Sequence, residues 1–232
     1  MTTALQMENE ATDRAAVGSP VDRGVMPRRA RRCLDLFCGA GGAGMGLHRA
    51  GFEVVGVDIN PQPYYPFTFR QGDALDADLE GFDLVWASPP CVEFAKTDKR
   101  CWYPDAPTPS MELVDAALRI IAQVQPRAWL LENVRGARPW FRAHVGPSGL
   151  RLGAPVLQSP PLYLWGSPPP GLLLPSPGHG HKEYQSRRSD DPRARRLSSD
   201  DRRRQLRAVI PYCISYAVAR AVERSVADRE AA

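Results

Sequence analysis

From Cys33 onward, short apolar runs alternate with stretches of helical spacing, the order expected of a parallel sheet whose strands are joined by crossover helices. The pattern predicts strands at Cys33–Phe37, Glu53–Asp58, Phe82–Ala87 and Ala128–Glu132, and helices at Gly42–Ala50 and Met111–Gln125. In the second helix Leu113, Ala116, Ala117, Ile120, Ile121 and Val124 recur at the spacing of one helical face. Past Arg135 the chain reads as irregular and proline-rich, interrupted by an apolar run at Leu162–Trp165 and closed by a helix from Pro211 to about Val226. Residues 1–26 mix Ala, Thr, Glu and Asp without periodicity, the mark of a disordered tail. The resulting division is a tail over 1–30, an α/β unit over 31–166, a Pro/Arg-rich segment over 167–208 and a C-terminal helix over 209–227 that packs back on the α/β unit.

A chain of 232 residues has room for one α/β domain and a small appendage, not for two full domains. The formal net charge of +4 hints at a polyanionic partner because the basic residues cluster near both ends. Arg28-Arg29-Ala30-Arg31-Arg32 reads either as a phosphate contact or as a solvated flank before the first strand. Five cysteines, at 33, 38, 91, 101 and 213, form no C-x-x-C pair, so neither a zinc site nor a disulfide framework is indicated. His179 and His181 lack a third ligand. No apolar run approaches the roughly 20 residues that span a bilayer, and the expectation is a cytoplasmic monomer without metal or membrane anchor.

Candidate chemistry lies at the strand ends. Asp35-Leu36-Phe37-Cys38-Gly39-Ala40-Gly41-Gly42 is a strand running into a glycine turn that opens a helix. Glycines there let a cofactor approach the backbone and face the helix N-terminus. Asp58, at the end of the next predicted strand, is placed to accept hydrogen bonds from ribose hydroxyls. Gly39-x-Gly41-x-x-Gly44 also satisfies the dinucleotide fingerprint, so an NAD-dependent oxidoreductase and a plain tight turn both stay open at this point.

Ser88-Pro89-Pro90-Cys91 follows the apolar run Phe82–Ala87, putting a cysteine where doubly wound sheets place their sites. An ordinary thiol is only about 3% ionised at pH 7, so a nucleophilic role requires an activating neighbour. Leu130-Leu131-Glu132-Asn133-Val134 again ends an apolar strand in a polar pair. A carboxyl there is suited to bind or protonate a ring nitrogen of a base if burial raises its pKa; a solvated strand-end carboxylate is the alternative.

In order along the chain, the glycine turn, Asp58-Ile59, Gln71-Gly72-Asp73-Ala74, Pro89-Pro90-Cys91 and Glu132-Asn133-Val134 resemble the motifs of the C5-cytosine DNA methyltransferases. The resemblance implies a Rossmann-like class I methyltransferase fold with a mostly parallel doubly wound sheet and a reduced target-recognition region. It implies S-adenosylmethionine as cofactor, held by Asp35, Phe37, Cys38, Gly39, Ala40, Gly41, Gly42, Asp58, Ile59, Asp73 and Ala74, with Asp58 on the ribose and Asp73 near the adenine amine. Cys91 would attack carbon 6 of a cytosine in DNA and Glu132 would engage N3 and the exocyclic amine, with Pro90 and Asn133 completing the catalytic motifs. The base would have to be flipped from the duplex. Amino-methylating relatives instead resemble Asp/Asn/Ser-Pro-Pro followed by an aromatic residue where Cys91 stands.

Two features depart from that pattern. The family's Gln-x-Arg-x-Arg aligns with Gln158-Ser159-Pro160-Pro161-Leu162, which has neither arginine; Arg151 or Arg187-Arg188 are the substitutes at hand. A large recognition domain is replaced by the short Pro/Arg-rich segment, whose stretch Gln185–Arg207 carries nine arginines and reads as a sequence-blind phosphate contact or a solvated loop. A DNA-binding relative with impaired catalysis, and a methyltransferase acting on RNA or a small pyrimidine, remain as alternatives.

Overall fold

Residues Arg32–Leu36 (β1) form a central strand of a six-stranded sheet in the computed structural model, which describes residues 29–73, 80–97, 104–105, 107–144, 162–173 and 212–230. The remaining strands are Glu53–Asp58 (β2), Thr68–Gln71 (β3), Leu84–Ala87 (β4), Ala128–Val134 (β5) and Leu162–Ser167 (β6). Their order is β3-β2-β1-β4-β5-β6, parallel except for β6, which runs antiparallel to β5. The helices are Gly42–Arg49 (α1), Val92–Thr97 (α2), Glu112–Val124 (α3), Arg138–His144 (α4) and Tyr212–Glu230 (α5).

β1, β2 and β4 are buried almost throughout, as strands must be when helices cover both faces of a parallel sheet. Alternate residues feed two cores. Leu34, Val55, Val85 and Leu131 pack with Val114, Ala117, Ile120 and Ile121 of α3 and with Phe94 and Phe141. On the other face Cys33, Val54, Leu84, Trp86 and Leu130 meet Leu47 of α1 and Ile214, Val218 and Val222 of α5. This is the Rossmann-like, doubly wound arrangement, with the strand order reversing between β1 and β4. A reversal of that kind opens a crevice at the carboxyl ends of the two strands.

Local differences from the sequence pattern have packing causes. β1 stops one residue early because Phe37 turns to φ 56°. β4 begins at Leu84, leaving Phe82 buried in the preceding turn under the Arg32 guanidinium, 4.4 Å from its ring centre. β5 continues to Val134 because β6 pairs with it from Trp129 onward. In α3, Val114 rather than Leu113 takes the inward position; Leu113 is 47% exposed. Arg135–Ala137 form a 3-10 turn that leads into α4, where the pattern reads as irregular. The closing helix runs on to Glu230.

The arginine flank is used within the protein. Arg29 donates to the Gly81 carbonyl at 2.6 Å and pairs with Asp83, Arg31 pairs with Glu223 of α5, and Arg32 donates to the Glu80 carbonyl at 3.1 Å. These contacts lie at the amino end of β1, away from the crevice, and the Arg29 side chain stays 65% exposed beside its partner. Residues 1–28, the stretch 174–211 and Gln158–Pro161 lie outside the described residues, as do Arg151, Arg187 and Arg188. No helix among the described residues is long and apolar enough to cross a membrane.

β6 supplies a sharp test of this packing. Gly166 has φ 147°, and a Cβ built on it would lie 2.2 Å from the Trp129 carbonyl oxygen and 3.0 Å from Leu130 Cα, both rigid strand backbone. Gly166→Ala is expected to destabilise the fold by about 3 kcal/mol, combining overpacking with backbone strain. Urea unfolding measures this, and a change below about 0.5 kcal/mol, the range of neutral surface substitutions, would contradict the pairing of β5 with β6.

Candidate active site

The turn after β1 is held by one hydrogen bond within it and two to the end of β2. Phe37 adopts a left-handed conformation despite its side chain, at a cost of about 1 kcal/mol or more. The Cys38 N–H donates to the Val57 carbonyl at 3.2 Å, the Gly41 N–H to the Cys38 carbonyl at 3.0 Å and the Gly39 N–H to Asp58 Oδ2 at 3.1 Å. A Cβ on Gly39 would meet nothing within 4 Å, so this backbone faces open space. Gly41, at φ 81°, caps α1, which starts at Gly42, and a Cβ there would press on Pro66 and the Tyr65 ring at 3.0 Å. Ala40 is half-buried, and Cys38 is buried with its thiol pushed far up by desolvation and by Asp35.

Asp35 faces inward. It is 1% exposed, and its carboxylate accepts a hydrogen bond from the Tyr65 hydroxyl at 3.1 Å and one from the Gly44 backbone N–H. Burial pushes its pKa up to about 7 against those two donors. Asp35 therefore braces β1 to the first turn of α1 and to the loop after β2. Since its folded pKa lies above the unfolded value near 3.9, the stability it contributes is full below about pH 4 and is lost as pH rises through 7. Asp35→Asn is expected to flatten the fall in urea midpoint between pH 5 and 8, and an unchanged slope would contradict the burial of this carboxyl.

At the end of β2, Asp58 is half-buried, with Oδ2 on Gly39 and Oδ1 accepting from the Asn60 backbone at 2.9 Å and its side chain at 3.5 Å. A carboxylate offers about four acceptor positions, so capacity remains for a ligand hydroxyl. Ile59 beside it is 70% exposed, an apolar platform at the crevice edge. The Gly72 N–H donates to the Asp58 carbonyl at 3.1 Å, tying the end of β3 to that of β2, and Asp73 follows, exposed. Ala74 lies outside the described residues.

The loop after β4 completes the crevice. Ser88 N–H donates to the Leu36 carbonyl at 3.1 Å, Pro89 is buried, Pro90 and Cys91 are exposed, and the Cys91 carbonyl accepts the first α2 bond from Ala95 at 2.9 Å. Asn133 is 1% exposed, and its side-chain amide donates to the Pro89 carbonyl at 2.9 Å while its own oxygen accepts from the Val134 N–H. Asn133 therefore holds the cysteine loop against β5 rather than facing a ligand.

Glu132 and Cys91 are close enough to feel each other's charge. Burial pushes Glu132 up to about 7, opposed by a hydrogen bond from Ser88. The surrounding protein raises the Cys91 thiol, and the Glu132 carboxylate raises it further. The free protein thus presents a thiol beside a carboxyl that is largely protonated below neutrality, an arrangement suited to addition of sulfur to a ring held by an acidic proton. Ser88 and Tyr65 carry no sequence signal for these roles because their partners, Glu132 and Asp35, come from distant strands, whereas Asn60 meets Asp58 only two residues away. Among the described residues no group of three or more His, Cys, Asp or Glu is arranged to hold a metal; His179 and His181 lie outside them.

A family model described as C-5 cytosine-specific DNA methylase matches residues 31–139, the span from the approach to β1 into α4. Type II methyltransferase M.HgiGI of Herpetosiphon aurantiacus is 30% identical over 122 residues, covering 46% of this chain and 93% of that protein. The chain belongs to the C-5 cytosine-specific DNA methylase family. Type II methyltransferase M.NgoMIV of Neisseria gonorrhoeae is 32% identical over 135 residues, 52% of this chain and 42% of the relative. Type II methyltransferase M.AquIA of Picosynechococcus is 29% identical over 131 residues, 48% and 52% respectively. The chain spans about half the length of these two family members. The matched span of this methylase domain includes the glycine turn, Asp58, Cys91 and Glu132.

Proposed function

We propose that the protein is an S-adenosylmethionine-dependent methyltransferase acting on carbon 5 of cytosine in DNA, through a covalent bond from Cys91 to carbon 6. The observation that carries this reading is an exposed Cys91 thiol, just past the carboxyl end of β4, within electrostatic reach of the half-buried, proton-holding Glu132 on the neighbouring β5. The cofactor's fit rests on the open face of Gly39, the exposed Ile59 and the spare acceptor capacity of Asp58. Phe37, Gly39, Gly41, Asp58, Ile59 and Asp73 would hold it, and bound S-adenosylmethionine supplies an electrophilic methyl group.

Each role follows from elementary chemistry. Cys91 loses its proton to solvent and its sulfur bonds to carbon 6, breaking the C5–C6 π bond. Glu132 holds its proton at N3, so the displaced electron pair is drawn to carbon 5 without leaving a full negative charge on the ring. Once carbon 5 carries the methyl group, N3 returns its proton to Glu132, the carbon 5 proton is lost to solvent, the C5–C6 double bond re-forms and the sulfur is expelled as thiolate. The short Pro/Arg-rich segment accords with phosphate-dominated, weakly sequence-specific DNA contact.

Incubation with methyl-labelled S-adenosylmethionine and either duplex DNA, RNA or free cytidine tests the substrate class. The expected product is 5-methyl-2′-deoxycytidine after nuclease digestion of the DNA. Label confined to RNA, to the free nucleoside or to an exocyclic amine would overturn the reading.

A further inference from the structure

The Glu132 carboxyl ends a hydrogen-bond chain that begins in the core. Trp86 of β4 is fully buried, and its indole N–H donates to Ser88 Oγ at 3.0 Å. The Ser88 side chain is in turn hydrogen-bonded to Glu132. An indole nitrogen can only donate, and a hydroxyl has a single proton. With the Trp86 proton on the serine oxygen, the one proton of Ser88 is left for the carboxyl, and towards the ionised carboxylate, which has no proton to give, the chain runs only from Trp86 through Ser88 to Glu132. The serine has little freedom to leave it. Its N–H is fixed on the Leu36 carbonyl at 3.1 Å, two prolines follow, and Pro89 is tied to Asn133 at 2.9 Å. Rotating the hydroxyl away would orphan the Trp86 N–H in the core, an unfavourable outcome.

Resting on the methyl-transfer reading above, we infer that Ser88 is a positioning residue for the reaction: aimed by the Trp86 indole, its hydroxyl occupies one Glu132 oxygen so that the other carries the proton that meets the base. Cys91, from the loop after β4, is the ionisable side chain whose charge couples to Glu132, and the residue opposite on β6 is the apolar Leu164. Ser88 also opposes the effect of burial on Glu132, so removing its hydroxyl should let the carboxyl hold its proton to higher pH.

The test is carbon-detected NMR titration of the Glu132 carboxyl in the full chain without cofactor, assigned by its loss in Glu132→Gln. In Ser88→Ala the midpoint should move up by about one pH unit, the usual size of one hydrogen bond's effect, and Ser88→Thr, which retains the hydroxyl, should restore it. A folded Ser88→Ala protein with an unmoved or lowered midpoint overturns the inference. In the unsubstituted protein the Trp86 indole N–H resonance should titrate with the Glu132 midpoint and stop doing so in Glu132→Gln; an indole signal indifferent to Glu132 overturns the inference as well. These readouts need no methyl transfer. A chain that passes them and methylates nothing would sink the proposed function alone.

Discussion

Cys91→Ser is expected to lower methyl transfer to DNA cytosine by at least about a thousandfold, the scale on which removal of a nucleophile acts, while leaving affinity for S-adenosylmethionine unchanged. A serine hydroxyl has the size of the thiol but ionises far less readily, so sulfur addition to carbon 6 has no comparable replacement. Cofactor affinity should persist because the glycine turn and Asp58 are held by Val57, Asn60 and one another rather than by the cysteine loop. Rates from filter-bound label and affinity from calorimetry separate the two effects. Retention of more than about a tenth of the activity would show that the thiol is not the attacking group, since losses of a nucleophile are far larger.

The second large effect is expected at Glu132. The active protein needs Cys91 ionised and Glu132 protonated, with Glu132 near 7 and Cys91 raised above its ordinary value. Below pH 7, kcat/KM should climb about tenfold per pH unit as thiolate accumulates. Above 7 the loss of the Glu132 proton cancels that gain, and the profile should bend to a plateau until Cys91 itself has titrated. Glu132→Gln removes the proton donor and should lower kcat/KM at pH 6.5 by about a hundredfold or more. Its remaining activity should lose the bend near 7 and keep rising with pH. A Gln variant that still bends near 7 would assign that titration elsewhere.

The strands that frame the crevice were legible because each is a short apolar run ending in a polar residue: Val54–Val57 before Asp58, Leu84–Ala87 before Ser88, and Ala128–Leu131 before Glu132. Parallel pairing then sets those polar ends at one edge, so Asp58, Cys91 and Glu132 converge without further information. β3 was harder to read from its pattern, being a four-residue edge strand with one large apolar residue, Phe69. Leu113 and Val114 are adjacent and both apolar, and only packing against the sheet decides that Val114 points in. The inward roles of Asp35 and Asn133 also escaped the pattern. A strand-end polar residue looks alike whether it faces a ligand or, as here, the Tyr65 hydroxyl and the Pro89 carbonyl. The directed chain from Trp86 through Ser88 to Glu132 depends on the register of β4 against β5, which spacing along one segment does not specify.

The most direct test of the whole account is covalent trapping on duplex DNA containing 5-fluorocytosine, in the presence of S-adenosylmethionine. Fluorine at carbon 5 cannot leave as a proton does, so the bond between sulfur and carbon 6 should persist as a denaturation-resistant complex, and peptide mass mapping should place the modified nucleotide on Cys91. Cofactor binding without any adduct on DNA, or an adduct mapped to another cysteine, would contradict it.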